Sequence, residues 1–293
     1  ILFPSSFRTD EERYTRAVLQ RFMGRAFRRS VGDPEVDRYL AFWRSVRQDS
    51  ESYEDSIRET LVAVLCSPRF LFLAEPRTGG GDAPGEVAIE ISEAALASRL
   101  SYFLWNSPPD LELTRLAATG KLRSNLFDQV DRMLEDPRVD RFVRAFGREW
   151  LRMDRLENVA VNVDRHPTFT RFVKRDMAEE TYHFLRHVMQ RDLPLPVLID
   201  SDFAMLNQNL AEFYGIPGVE GPEFRPVPIG PELGRGGLLG QGAFLTGHSD
   251  GTWPHPIKRA VWLKEKLLDD PPPPPPPNVP DLDPDTPGFE KLT

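Results

Sequence analysis

The sequence predicts a mostly α protein: helical bundle-like domains, an irregular Gly/Pro-rich excursion and a C-terminal polyproline segment. Three observations predict it. Apolar residues recur at three- and four-residue spacing through most of the first 190 residues, the period of a helix with one buried face. Helix-start signals, a Ser or Asp ahead of an early proline, stand at Asp33-Pro34, Ser107-Pro108 and Asp136-Pro137. Glycine and proline then crowd residues 216–256, and seven consecutive prolines from Pro271 force a polyproline II rod.

A first small domain is expected over residues 10–75. Its first helix begins at Asp10, carries Tyr14, Val18, Leu19, Phe22, Met23, Ala26 and Phe27 on one face, and ends at Gly32. Asp33 as N-cap and Pro34 in the first turn start the second helix, with Tyr39, Leu40, Trp43 and Val46 inward. The third, over 51–66, presents Ile57, Leu61, Val64 and Leu65, and Ser67-Pro68 stops it. Cys66 is expected on the apolar side as a buried, inert thiol.

Residues 76–90, rich in Gly and Pro, read as a linker or surface loop. A larger helical domain is expected over 91–230. Ser92 caps a helix carrying Ala95, Leu96, Leu100, Phe103 and Leu104. Ser107 is the expected N-cap of the next, with Asp110 at its third position, Leu113, Leu116 and Ala117 inward, and Gly120 at its end. Asp136-Pro137 opens a helix lined by Val139, Phe142, Val143, Phe146 and Trp150. The longest helix spans about 168–190, and a short one spans Asn207–Phe213. Residues 231–280 form a Gly-rich loop, a helix from Ile257 to Leu268 and a polyproline exit packed on the larger domain. Residues 281–293 begin a linker to a further domain. The chain opens at Ile1 without a methionine, so it reads as part of a longer polypeptide.

Composition narrows the function classes. The 293 residues carry a net charge of −8, which argues against nonspecific nucleic-acid binding, since that binding needs a positive surface to displace counterions. A single cysteine rules out an internal disulfide, a Cys-x-x-Cys pair and a c-type haem attachment motif within the chain. No apolar run approaches the roughly 20 residues of a membrane span.

Three stretches carry a resemblance. RFMGRAFRRS through LVAVLCSPRFLFLAE is the first. ALASRLSYFLWNSPPDLELTRLAATGKL through FAMLNQNLAEFYGIPGV is the second. RGGLLGQGAFLTGHSDGTWPHPIKRAVWLKEKLLDDPPPPPPPNVP is the third. Together they resemble three consecutive uncharacterised domains of the planctomycete-type cytochrome c-associated multidomain proteins. The resemblance implies a periplasmic or extracellular location, neighbouring domains of the same polypeptide as partners, no cofactor in this fragment, and haem c in a neighbouring domain. It supplies no catalytic residue. His255 stands where the family has a serine before Pro256, and Ala260 where it has a glycine after Arg259.

Two clusters are candidates for chemistry. The loop GHSDGTWPHPIKR gathers His248, Ser249, Asp250, His255 and Arg259, groups able to act as acid and base or as metal ligands. The competing reading is that Ser249, Asp250 and Thr252 build turns and cap the helix at Ile257. On the longest helix Asp176, Glu180, His183 and His187 fall along one stripe, and Glu180-x-x-His183 has metal-ligand spacing, so Glu180, His183 and His187 are candidate ligands. The competing reading is a polar flank beside the core face of Val173, Met177, Thr181, Phe184 and Val188. Trp253, between glycine and proline, is the tryptophan expected to be exposed. The leading expectation is an accessory or structural module of a secreted or periplasmic multidomain protein associated with a c-type cytochrome domain. The alternative is an extracytoplasmic enzyme acting on a polymer or small molecule, with the His248–Arg259 loop as its active site.

Overall fold

The structure, a computed structural model, describes residues 1–6, 8–72, 91–230 and 233–273. The expected linker at 76–90, the polyproline rod beyond Pro273 and the segment 281–293 lie outside the described residues. The described residues are mostly α, with thirteen α-helices and one two-stranded sheet. The chain divides into two compact units, Ile1–Ala145 with Met189–Arg191, and Phe146–Val188 with Asp192–Thr293. The division falls inside the stretch 91–230 that the sequence suggests as one larger domain.

The first unit begins with three packed helices, α1 (Glu11–Ala26), α2 (Asp33–Asp49) and α3 (Tyr53–Leu65). Their shared core holds Tyr14, Leu19, Met23, Leu40, Trp43 and Val64, spaced as the sequence requires. The buried polar side chains here are hydroxyls: Trp43 Nε1 donates to Ser56 Oγ at 3.0 Å, and Thr60 donates back to the Ser56 carbonyl. Charged side chains pair across the outside, as Arg47 does with Glu11 and Arg44 with Glu12.

Local corrections follow from cap geometry. Asp10, where the first helix is expected to begin, is its N-cap and accepts from the Arg13 N–H, but the helix already stops at Ala26. Gly32, not Asp33, is the N-cap of α2: Gly32 is extended and Asp33 is the first helical residue. Ser67 does not merely stop α3. It caps a further short helix, α4 (Pro68–Leu71). Cys66 is exposed, against the expectation of a buried thiol. It lies two residues past buried Val64, about 200° round the helix from the buried face.

The unit continues through α5 (Glu93–Trp105), α6 (Leu111–Ala118), α7 (Leu126–Glu135) and the start of α8 (Asp140–Trp150). Trp105, Leu113, Leu116, Leu122 and Met133 form a second core, and Trp105 Nε1 donates to the Met133 carbonyl at 3.0 Å. Ser92 caps α5, but the buried face is Ala97, Ser98, Ser101, Leu104 and Trp105, leaving Phe103 exposed. Asp110 rather than Ser107 caps α6. Its carboxylate accepts from the Leu113 N–H, three residues on, and pairs with Arg132.

The second unit is organised on α10 (Arg171–Gln190), reached from α8 through α9 (Met153–Asn158). Through Val188, its buried residues include Val173, Met177, Thr181, Phe184 and Val188, the face read from the sequence. Strand β1 (Phe203–Leu206), helix α11 (Gln208–Tyr214) and strand β2 (Arg225–Pro228) follow, and the strands pair antiparallel with Ala204 opposite Val227. Asn207 caps α11 and Gly215 ends it in the left-handed region, where glycine carries no Cβ penalty. Helix α12 (Gly242–Gly247) packs on α9, and α13 (Pro256–Lys266) sets Trp262 against Phe244 at 4.9 Å.

Candidate functional site

The polar chemistry of the second unit starts at Glu180 on α10. This carboxyl is buried, and Tyr214 at the end of α11 donates its hydroxyl proton to it at 2.7 Å. The same hydroxyl accepts from the Gly242 N–H at the start of α12, at 3.1 Å. The Arg235 guanidinium lies over the Tyr214 ring, 3.5 Å from its centre, and donates to the Gly240 carbonyl. Burial pushes the Glu180 carboxyl up to about 7, against the opposing pull of the Tyr214 hydroxyl, the Arg235 charge and the Gly242 N–H. Burial, then the neighbouring Glu180 charge, pushes the Tyr214 phenol up as well.

The glycine-rich stretch is explained by this joint. A Cβ on Gly242 would run into the Tyr214 hydroxyl and the Met177 side chain, so α12 can dock on α10 only with glycine there. Beside it, Thr181 donates to Gln241 Oε1 at 2.7 Å. One turn earlier, Asp176 is equally buried and receives Asn207 at 3.0 Å, Asn209 at 2.8 Å and Arg175 at 2.8 Å. Burial would raise that carboxyl, but the Asn207, Arg175 and Asn209 hydrogen bonds together outweigh it and hold it below its ordinary range.

The loop after α12 is closed on itself. An antiparallel bridge joins Ser249 to Pro254. Asp250 Oδ1 accepts from the N–H groups of Thr252 at 2.7 Å and Trp253 at 2.6 Å, and Oδ2 meets His255 Nε2 at 3.3 Å. Those backbone bonds, and then the His255 ring, hold the Asp250 carboxyl below its usual range. Ser249 donates to the Thr246 carbonyl at 2.7 Å. Gly251 has φ +88°, and a Cβ there would strike the Ala160 carbonyl.

His248 points the other way, into the core between Phe244 and Trp262. Its Nδ1 lies 2.9 Å from the Phe244 carbonyl, so that nitrogen carries the proton. Burial lowers its proton affinity, which keeps the ring neutral. Arg259 stands in the first turns of α13, where its N–H donates to the His255 carbonyl. Among the candidate residues, then, Asp250 and His255 meet, whereas His248 faces the core on its own.

The candidate metal ligands engage three different neighbours. Glu180 bonds Tyr214, His183 stacks on Phe224 at 4.8 Å, and His187 sits edge-on to Phe203 at 5.3 Å. No group of three or more His, Cys, Asp or Glu side chains placed to hold a metal ion occurs among the described residues. The residues that sequence reasoning passed over are Tyr214, Arg235 and Gln241. The signal for Arg235 and Gln241 was the glycine beside each, at 236 and 242, which marks close backbone approach, whereas Gly215 beside Tyr214 marks only a helix end.

Beside this joint runs a groove of about 290 Å³. Its lining includes Phe169, Met177, Phe213, Arg235, Thr246 and Trp253. Trp253 is 57% exposed, as its place between glycine and proline suggested.

Three family models match in succession. Residues 14–75 match PSD5, residues 91–216 match PSD4 and residues 235–292 match PSCyt3; these are described as proteins of unknown function, DUF1595, DUF1592 and DUF1588 respectively. The chain carries these three domains consecutively. This agrees with its resemblance to the planctomycete cytochrome c-associated domains. Glu180 and Tyr214 belong to the PSD4 segment, and Arg235 and Gly242 to the PSCyt3 segment, so the buried joint ties one family segment to the next. No curated protein and no solved structure matches the chain. No helix among the described residues is long and apolar enough to cross a membrane.

Proposed function

We propose that the chain is an accessory module of a secreted or periplasmic multidomain protein, working beside a c-type cytochrome domain carried elsewhere on the same polypeptide. The observation that supports this reading is how Asp250, Ser249 and the Nδ1 of His248 are spent within the 248–259 loop, although His248 Nε2 and Arg259 Nε are buried without a hydrogen-bond partner. Asp250 holds two backbone N–H groups and His255, Ser249 closes a turn, and His248 is a neutral core ring. Groups committed to turns and packing give a rigid scaffold. With one cysteine, the chain has no pair of thiols to carry a covalent haem, and this supports the reading that a neighbouring domain would carry it.

The test is to isolate the full-length polypeptide with an antibody against this chain, after separating periplasmic, secreted and cytoplasmic fractions. The expected result is a haem-staining band with c-type absorbance in the periplasmic or secreted fraction, and turnover of any measured redox activity unchanged by His255→Ala. A haem-free cytoplasmic polypeptide, or loss of activity in His255→Ala with the fold intact, would overturn the reading.

A further inference from the structure

The groove beside Trp253 is lined in part by Ser249, Gly251 and Thr252 of that loop and by Arg235 and Gly242 of the buried joint. Trp253 exposes more than half of its surface, a costly display for the largest apolar side chain. It is nonetheless held in place three ways. Asp250 accepts its N–H, the Ser249–Pro254 bridge closes the loop around it, and the Arg165 guanidinium lies 4.1 Å from its ring centre. In the same lining Phe169 and Phe213 meet edge to face at 6.1 Å. A fixed aromatic surface in the same groove as an aromatic pair is preorganised to receive a flat ring, because ordering costs are already met.

The charge is as selective as the shape. The lining residues include no aspartate or glutamate, in a chain whose net charge is −8. Arg235 is the one arginine or lysine among them. Tyr214 covers one face of its guanidinium, and the Gly240 carbonyl takes one of its five N–H donors. A guanidinium fork of fixed orientation matches a carboxylate. The volume sits at the small end of ligand pockets, which run roughly 300–1,000 Å³, and suits one ring rather than a polymer.

We propose that this groove binds a small aromatic carboxylate, its ring between Trp253 and the Phe169–Phe213 pair and its carboxylate on Arg235. The inference goes beyond the module reading and does not depend on it.

The experiment is calorimetric titration of the purified chain with benzoate, with neutral benzamide and non-aromatic cyclohexanecarboxylate as comparators. Benzoate is expected to bind saturably with one site. Benzamide should bind at least tenfold more weakly, and cyclohexanecarboxylate several-fold more weakly. Arg235→Gln should lower benzoate affinity at least tenfold and Trp253→Ala several-fold, with unfolding curves recorded to confirm folding. No saturable benzoate binding up to about 10 mM, or benzamide binding as tightly as benzoate, overturns the proposal. The benzamide comparison is made on the unaltered chain, so it decides the matter even if Arg235→Gln does not fold.

Discussion

The three helices α1–α3 and the region around α10 bury different kinds of atoms. In α1–α3 the core is apolar with a few hydroxyls, and Arg44, Arg47, Glu11 and Glu12 pair on the outside. Around α10 two carboxyls, an imidazole and amide side chains are buried, and Glu180 and Asp176 are each held by named hydrogen-bond donors. An apolar core needs only matching volume and tolerates exchange of similar side chains. A buried polar joint admits one arrangement, because any other strands a charge or donor away from water. The first region is thus held by pattern, and the second by specific partners that come from two family segments.

Substitutions separate the two modes, and the largest effect is expected at Gly242. Gly242→Val drives a side chain into the Tyr214 hydroxyl and Met177. It should cost the second unit about 3 kcal/mol, read by urea unfolding, while protection of the α1–α3 amides in hydrogen exchange stays unchanged. Equal loss in both regions would mean that they do not differ as described. Asp250→Ala removes the acceptor for two N–H groups. It should cost about 1 kcal/mol and increase Trp253 mobility, seen as lower fluorescence anisotropy; an unchanged loop would show that the carboxylate does not set it. The smallest effect is expected on the outer surface of α1–α3. Arg44→Ala breaks an exposed pair with Glu12 and should leave the melting temperature unmoved within error, and a clear drop there would show that surface charge also holds this region.

What could be read in the sequence follows the same divide. The core of α1–α3 was legible because Leu19 and Met23, Leu40 and Trp43, and Ile57, Leu61 and Val64 repeat at helical spacing, and periodicity is a local property. Cys66 misled because it follows an apolar run, although burial depends on angle around the helix rather than on neighbours in the chain. The α10 core face was legible for the same reason as α1–α3. Its polar partners were not, since Tyr214 and Gly242 lie 34 and 62 residues beyond Glu180 and no local pattern links them. Strand β1 is only four residues long, too short to show a period, and depends on β2 for its hydrogen bonds. The 248–259 loop offered the right residues, but whether His248 turned inward or outward was set by Phe244 and Trp262.

The central claim is that the second unit closes around a buried Glu180 bonded by Tyr214, whose hydroxyl accepts from Gly242 and whose ring lies under Arg235. Its sign with pH is fixed. Glu180 is raised from 4.5 to about 7 in the folded chain, so the folded state favours the protonated carboxyl. Its contribution is fully present below pH 4.5 and is lost as pH rises through 7, a change of about 3 kcal/mol. The decisive measurement is urea unfolding between about pH 5 and 8 for the native chain and for Glu180→Gln, taken as the difference between the two. The account predicts that the native chain loses stability relative to Glu180→Gln across this range. Parallel curves for the two proteins would contradict it.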